Sequence, residues 1–245
     1  MLQTIALLFL LLPALLHAQP RSGVQSLGDD LQVRQLSGTV WMHTSKKSVK
    51  GVVVPANGLV IATSGGSILI DTPWDTSQTR RLLRWAALTL RNPIRSAVLT
   101  HAHEDRMGGS QLLKEAAIPV FALDLTAARA GAQGWSAPDS LFSGERLLRL
   151  GDRTIDLFHP GAAHAPDNIV VWLSEEKILF GGCLVKAAND NTLGFTGDAD
   201  MKGWSVAIGR ITNRYADARI IIPGHGNIGD RSLLLHTLEL LQAKK

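Results

Sequence analysis

The stretch Ile94-Arg95-Ser96-Ala97-Val98-Leu99-Thr100-His101-Ala102-His103-Glu104-Asp105-Arg106-Met107-Gly108-Gly109-Ser110 decides the fold. Its first six residues read as a short, mostly apolar strand, and the apolar run stops at Leu99. Two histidines and an aspartate then follow within five residues, so one turn at the mouth of a strand carries three donors. Neutral imidazole and carboxylate together suit zinc. A single histidine here would read as a solvated loop residue, whereas His-x-His-x-Asp at a strand end points to a metal. Gly108-Gly109 lets the chain pass close behind the turn, and residues 110–117 are predicted to continue as a helix.

Upstream, residues 31–58 read as strands around a polar loop at His43-Thr44-Ser45-Lys46-Lys47-Ser48-Val49-Lys50-Gly51, a hairpin with an exposed tip. Asn57-Gly58 is predicted to turn the chain, and Gly65-Gly66 to turn it again into Ser67-Ile68-Leu69-Ile70-Asp71. A helix capped by Asp75 or Thr76 is predicted through Arg91, ended by Asn92-Pro93. Downstream, residues 118–122 return as a strand, 124–132 as a helix and 133–143 as a loop. Hairpins are predicted around Gly151-Asp152 and Ser174-Glu175-Glu176. Helices over 201–215 and 231–245 flank a strand at 218–222. Strands in both halves with helices between and after them predict an α/β protein, a four-layer αβ/βα sandwich.

The chain has 245 residues, long enough for a sizeable core without disulfides. Residues 19–245 are expected to form one domain. Residues 1–18, MLQTIALLFLLLPALLHA, have the shape of a secretory signal peptide, broken by Pro13 and ending at Ala18 before a polar stretch. They predict export to the periplasm with no stable membrane insertion after processing. The formal net charge is +4, but the basic residues are scattered and not interleaved with aromatics, which excludes a nucleic-acid partner. A monomer is expected. Cys183 is the sole cysteine, so no intramolecular disulfide can form. An exported protein with one thiol must bury it or hold it as a metal thiolate.

Three further donors sit where an apolar strand meets a Gly or Pro turn: His164 in Pro160-Gly161-Ala162-Ala163-His164, Cys183 in Gly181-Gly182-Cys183, and His225 in Pro223-Gly224-His225-Gly226. Donors at the ends of different strands can converge on one edge of a sheet pair. Together they complete two sets, His101, His103 and His164 for one zinc and Asp105, Cys183 and His225 for a second, hence two Zn2+ per chain. Three protein ligands per ion leave room for water, the mark of a catalytic site. His43, His159 and His236 lack that context and read as surface or packing residues.

In order along the chain, His101 to Arg106 (HxHxDR), His164 before Asp167-Asn168, GGCLVK at Gly181 to Lys186, LGxxGDAD at Leu193 to Asp200 and PGHG at Pro223 to Gly226 resemble the class B metallo-β-lactamases of the cysteine-ligand, di-zinc subclass. The likeness runs from about Val33 to the C-terminus. It implies zinc-dependent hydrolysis of the β-lactam amide of penicillins, cephalosporins and carbapenems, and hence antibiotic resistance. It implies that Asp105 orients the attacking hydroxide and that Lys186 pairs with the substrate carboxylate. Arg106 is expected to offset the charge of Asp105 and Cys183, and Asp71 to steady the histidine loop. Phe195 stands where the family often has Asn, so an aromatic contact with substrate replaces an amide. Ala163-His164-Ala165 replaces the usual Gly-His-Thr or Gly-His-Ser, and the loop over the site, 44–51, carries Lys46, Lys47 and Lys50. A thioesterase of the glyoxalase II type would carry His in place of Arg106. A non-catalytic exported zinc-binding protein is the remaining alternative, against which Lys186 weighs.

Overall fold

The computed structural model describes residues 23–244, so the leader at 1–18 lies outside the described residues. In chain order, β1 (Val24–Ser26), β2 (Leu31–Gln35), β3 (Val40–Val49), β4 (Val52–Thr63) and β5 (Gly66–Ile70) form a meander. Then α1 (Thr76–Leu88) precedes β6 (Ile94–Leu99), and α2 (Glu104–Met107) and α3 (Ser110–Glu115) precede β7 (Val120–Leu123). After α4 (Asp124–Ala132) come β8 (Ser140–Phe142), β9 (Glu145–Leu150), β10 (Arg153–Phe158), β11 (Val170–Leu173) and β12 (Ile178–Gly182). Last come α5 (Met201–Arg214), β13 (Ile220–Pro223) and α6 (Ser232–Ala243).

The strands make two sheets, one of order β1-β2-β3-β4-β5-β6-β7-β8 and one of order β13-β12-β11-β10-β9. Pairing is antiparallel up to β5 and parallel from β5 to β8, because β6, β7 and β8 each follow a helical crossover. In the smaller sheet only β12 and β13 are parallel, with α5 between them.

Side-chain alternation makes the layers. Val40, Met42, Leu59, Ile61, Ile68, Ile70 and Val98 face Ile155, Leu157, Val171, Leu173, Phe180 and Ile222 between the sheets. Their neighbours Trp41, Val60, Leu69, Ala97 and Leu99 point outward, under Leu82, Trp85 and Ala86 of α1. On the opposite outside, Val170, Trp172, Leu179 and Ile221 lie under α5 and α6. A strand covered on both faces must be apolar at every position, which is why these strands read as unbroken apolar runs. The predicted four-layer sandwich is the observed architecture. No helix among the described residues is long and apolar enough to cross a membrane.

Three local expectations are corrected. The polar run from His43 is strand rather than loop: β3 continues to Val49 and the tip is only Lys50-Gly51, both at positive φ. The predicted helix through Arg91 ends at Leu88, where Arg91 turns left-handed and Asn92 N–H closes on Ala86 O, ahead of Pro93. Asn57-Gly58 is no turn but the middle of β4, opposite Thr44 and His43. Gly58 serves close packing: a Cβ there would lie 2.2 Å from His43 Nε2 and 2.5 Å from Ile70 O. Gly58→Ala is therefore expected to destabilise the protein by about 1–3 kcal/mol. An unchanged urea midpoint would refute that packing argument. Elsewhere β1, α2 and β8 were not anticipated, the last inside the predicted 133–143 loop.

Candidate metal centre

The site lies along one edge of the sheet pair, where strand ends from both sheets meet. β6 delivers the histidine loop, and Asp71, just beyond the neighbouring β5, holds it. Asp71 Oδ1 accepts from Thr100 N–H at 2.7 Å and Oδ2 from Thr100 Oγ1 at 2.8 Å. Burial raises the Asp71 pKa to about 6, against the pull of Arg106 and the Thr100 hydrogen bonds. His103 starts α2, whose single turn folds Asp105 and Arg106 inward; both are buried.

All six donors come together. His103 Nδ1 lies 3.1 Å from His101 Nε2 and 3.3 Å from His164 Nε2. Cys183 Sγ lies 3.5 Å from Asp105 Oδ2 and 3.3 Å from His225 Nε2, which is 3.2 Å from Asp105 Oδ2. Two nitrogens bound at about 2.0–2.1 Å in tetrahedral array would stand about 3.3 Å apart, so this spacing is that of ligand atoms around one zinc.

The electrostatics fit a cation as well. Burial, then the neighbouring His103 and His164, hold His101 well below the usual imidazole range. Burial and Lys186 do the same to His164, so both rings are neutral with lone pairs free. The Nδ1 of His164 is buried with no hydrogen-bond partner among the described residues. Burial opposes charge on Asp105, but Arg106 and His225 keep it ionised, well below the usual carboxylate range. Burial opposes charge on His225 too, yet Cys183 and Asp105 push its pKa up to about 10. Asp105 and Cys183 thus draw a proton onto His225, which a bound cation would have to displace.

Outer partners aim the donors. His225 Nδ1 lies 2.6 Å from Pro55 O, to which it donates, and this turns Nε2 toward Cys183. Gly224 packs so closely that a Cβ would lie 2.7 Å from Cys183 Sγ. Arg106 spans the floor: it meets Asp105 Oδ2 at 2.7 Å, Cys183 Sγ at 3.1 Å and Asp71 Oδ2 at 3.4 Å, and donates to Asn57 O and Gly224 O.

Lys186 is buried, with its ammonium 5.6 Å from the Trp204 ring centre. Phe195 is 62% exposed and sets its ring edge-on to His103 at 5.5 Å between centroids. At the hairpin, Lys47 meets Glu104 at 2.5 Å, which ties β3 to the loop of donors. Of the set-aside histidines, His43 is buried against Asp71 O, and His159 and His236 bond the carbonyls of Asn168 and Asp190.

Sequence reasoning missed three partners. Asp198 Oδ2 lies 2.8 Å from His103 Nε2 and 2.5 Å from Arg129, which also meets Asp167 at 3.0 Å. The hydrogen bond from His103 heads the causes that lower the Asp198 pKa. Asn57, read as a turn residue, donates to Pro223 O and Gly226 O and so holds the His225 turn. Asp198 lies within the recognised LGxxGDAD motif, a signal that could have found it; Arg129 carries no such signal.

The family model described as Metallo-beta-lactamase superfamily matches residues 51–225. The metallo-beta-lactamase type 2 of Bacillus cereus is 41% identical over 212 residues, covering 86% of this chain and 83% of that protein. A solved metallo-beta-lactamase from Pontibacter korlensis is 43% identical with a TM-score of 0.84, over 86% of this chain and 99% of that one. FIM-1 from Pseudomonas aeruginosa, solved in its mono-zinc form, is 36% identical with a TM-score of 0.83, over 89% of this chain and 99% of that one.

Proposed function

We propose, for a chain that belongs to the metallo-β-lactamase superfamily, that it hydrolyses the amide bond of β-lactam antibiotics with two zinc ions bound at this centre. The observation that carries the reading is the convergence of His101, His103 and His164 beside Asp105, Cys183 and His225, with His103 at ligand spacing from the other two histidines and the second trio at ligand spacing throughout. His101, His103 and His164 would hold one ion, and Asp105, Cys183 and His225 the other. When bound, zinc supplies a Lewis acid for the lactam carbonyl and lowers the pKa of water to about 7.

The protein's own residues supply position. Asp105, kept ionised by Arg106, offers a carboxylate that orients a water through its unpaired oxygen sites. Lys186 presents an ammonium to the carboxylate that β-lactams carry beside the ring nitrogen. Phe195, exposed next to His103, offers an aromatic face to substituents on the same substrate. One water is consumed: its oxygen adds to the carbonyl carbon, the ring C–N bond breaks, one of its protons goes to the nitrogen, which stays tethered in the opened product, and the other passes to solvent as the new carboxylate ionises.

Penicillins, cephalosporins and carbapenems all present this amide and carboxylate, so all three are assigned as substrates. With the leader at 1–18 directing export, the activity would act in the periplasm and confer resistance, in a single domain that works as a monomer. The test follows loss of carbapenem and cephalosporin absorbance with the purified mature protein, before chelation, after chelation and after zinc is restored. Turnover that disappears and returns with zinc is expected. Two bound zinc ions with no lactam turnover would overturn the proposal and direct the assay to thioesters.

A further inference from the structure

Lys186 raises a problem that its recognised role does not solve. It is 6% exposed, and a buried ammonium is costly unless something compensates it. Among the described residues, no carboxylate forms an ion pair with it. What faces it is the ring of Trp204, 5.6 Å from Nζ to centroid, on a tryptophan with no exposed surface. Tryptophan is the strongest of the aromatic partners for a cation. A carboxylate in that place would satisfy the ammonium and then compete with the substrate's own carboxylate. A π face compensates the charge while occupying none of its three N–H donors.

Trp204 is itself held from three sides. Its indole Nε1 donates to Leu184 O at 2.8 Å, two residues before Lys186. Its ring meets the His164 ring at 5.6 Å between centroids. It sits in the first turn of α5, capped by Asp200, whose N–H donates to Ala163 O beside His164. From α6, Thr237 Oγ1 accepts from Lys186 N–H at 2.9 Å and donates to Leu233 O at 2.7 Å, with no exposed surface. Gly194 also lies beside the ammonium, where a Cβ would lie 3.8 Å from Nζ. Burial lowers the Lys186 pKa, with Cys183, Asp190 and Asp105 acting against that fall.

We propose that Trp204 and Thr237 are positioning residues for substrate recognition: the Trp204 face stabilises the buried Lys186 ammonium without using its donors, and Thr237 fixes the backbone from which it projects. The inference rests on the reading of Lys186 as the partner of the lactam carboxylate. The two outer helices would thus set affinity for the acid group of the substrate, from residues that touch no substrate atom.

The test compares a cephalosporin free acid with its methyl ester on the zinc-loaded enzyme, in Trp204→Leu, Trp204→Phe, Thr237→Val and Lys186→Met. Trp204→Leu is expected to raise KM for the acid about tenfold with little change for the ester, at unchanged zinc content. Trp204→Phe keeps a π face and is expected to recover most of that loss. Thr237→Val preserves shape and is expected to raise KM for the acid about threefold, which keeps the test decisive where Trp204→Leu fails to fold. A merely structural role would move acid and ester together. If Lys186→Met changes the acid alone while Trp204→Leu and Thr237→Val do not, this inference falls and the Lys186 assignment stands. If Lys186→Met leaves the acid-to-ester ratio at its wild-type value, the Lys186 assignment falls and takes this inference with it.

Discussion

Asp105→Asn lowers kcat/KM toward β-lactams by about 10²–10⁴-fold, the range for losing a positioned acid–base group. The carboxylate meets Arg106 at 2.7 Å, His225 Nε2 at 3.2 Å and Cys183 Sγ at 3.5 Å. An amide of the same shape removes one negative charge from the trio. Arg106, His225 and Cys183 all meet the same oxygen, Oδ2, so an NH2 there opposes the donors of Arg106, while an amide oxygen there still lacks the carboxylate charge. On the proposed reading, the capacity to hold a second cation is expected to fall, and with it the ability to orient water. The measurement is kcat/KM together with zinc per chain after dialysis. Loss of one equivalent of zinc with the activity is the expected pair of results. Wild-type turnover with full zinc content would remove Asp105 from the chemistry.

Arg106→Met produces the largest loss of stability, about 3–5 kcal/mol, the range for breaking a buried ion pair by removing one partner. The guanidinium is fully buried and serves five groups at once: Asp105, Asp71, Cys183 and the carbonyls of Asn57 and Gly224. Methionine fills much of the volume but leaves two buried carboxylates and two carbonyls without their donor. Arg106→Lys is not expected to rescue it, because one ammonium cannot reproduce a planar fork that reaches β4, the end of β5 and the Gly224 turn together. Denaturation in urea, with and without chelator, checks this. A large deficit that persists after chelation is expected, since Asp71 and the two carbonyls are not zinc donors. A deficit under about 1 kcal/mol in both conditions would mean that Arg106 is dispensable to the floor of the site.

Much of the architecture was legible because it depends on local periodicity. Unbroken apolar runs bounded by Gly, Pro, Asn and Asp marked most strands, and α4 was predicted with its observed bounds. Misreadings arose where one residue type serves two physical purposes. Glycine permits a turn, and it also permits two backbones to approach; Gly58 does the second. Lysines and serines read as loop, yet Thr44 to Val49 pair with β4 as a regular antiparallel ladder that projects beyond the core.

By itself, the sequence determined the layers and singled out the candidate metal ligands: apolar alternation dictates which strand faces are covered, and His101, His103, Asp105, His164, Cys183 and His225 each end or follow a strand at a turn. Those signals are local, carried within a few residues, so they survive without coordinates. Only the tertiary structure decided what aims them. His103 meets Asp198 across 95 positions of chain, Asn57 reaches Pro223 across 166, and Lys186 rests on a tryptophan and a threonine from two helices. Such pairings are chosen by the need to satisfy buried polar groups with whatever partner the packing brings near, and no local pattern records which partner that is.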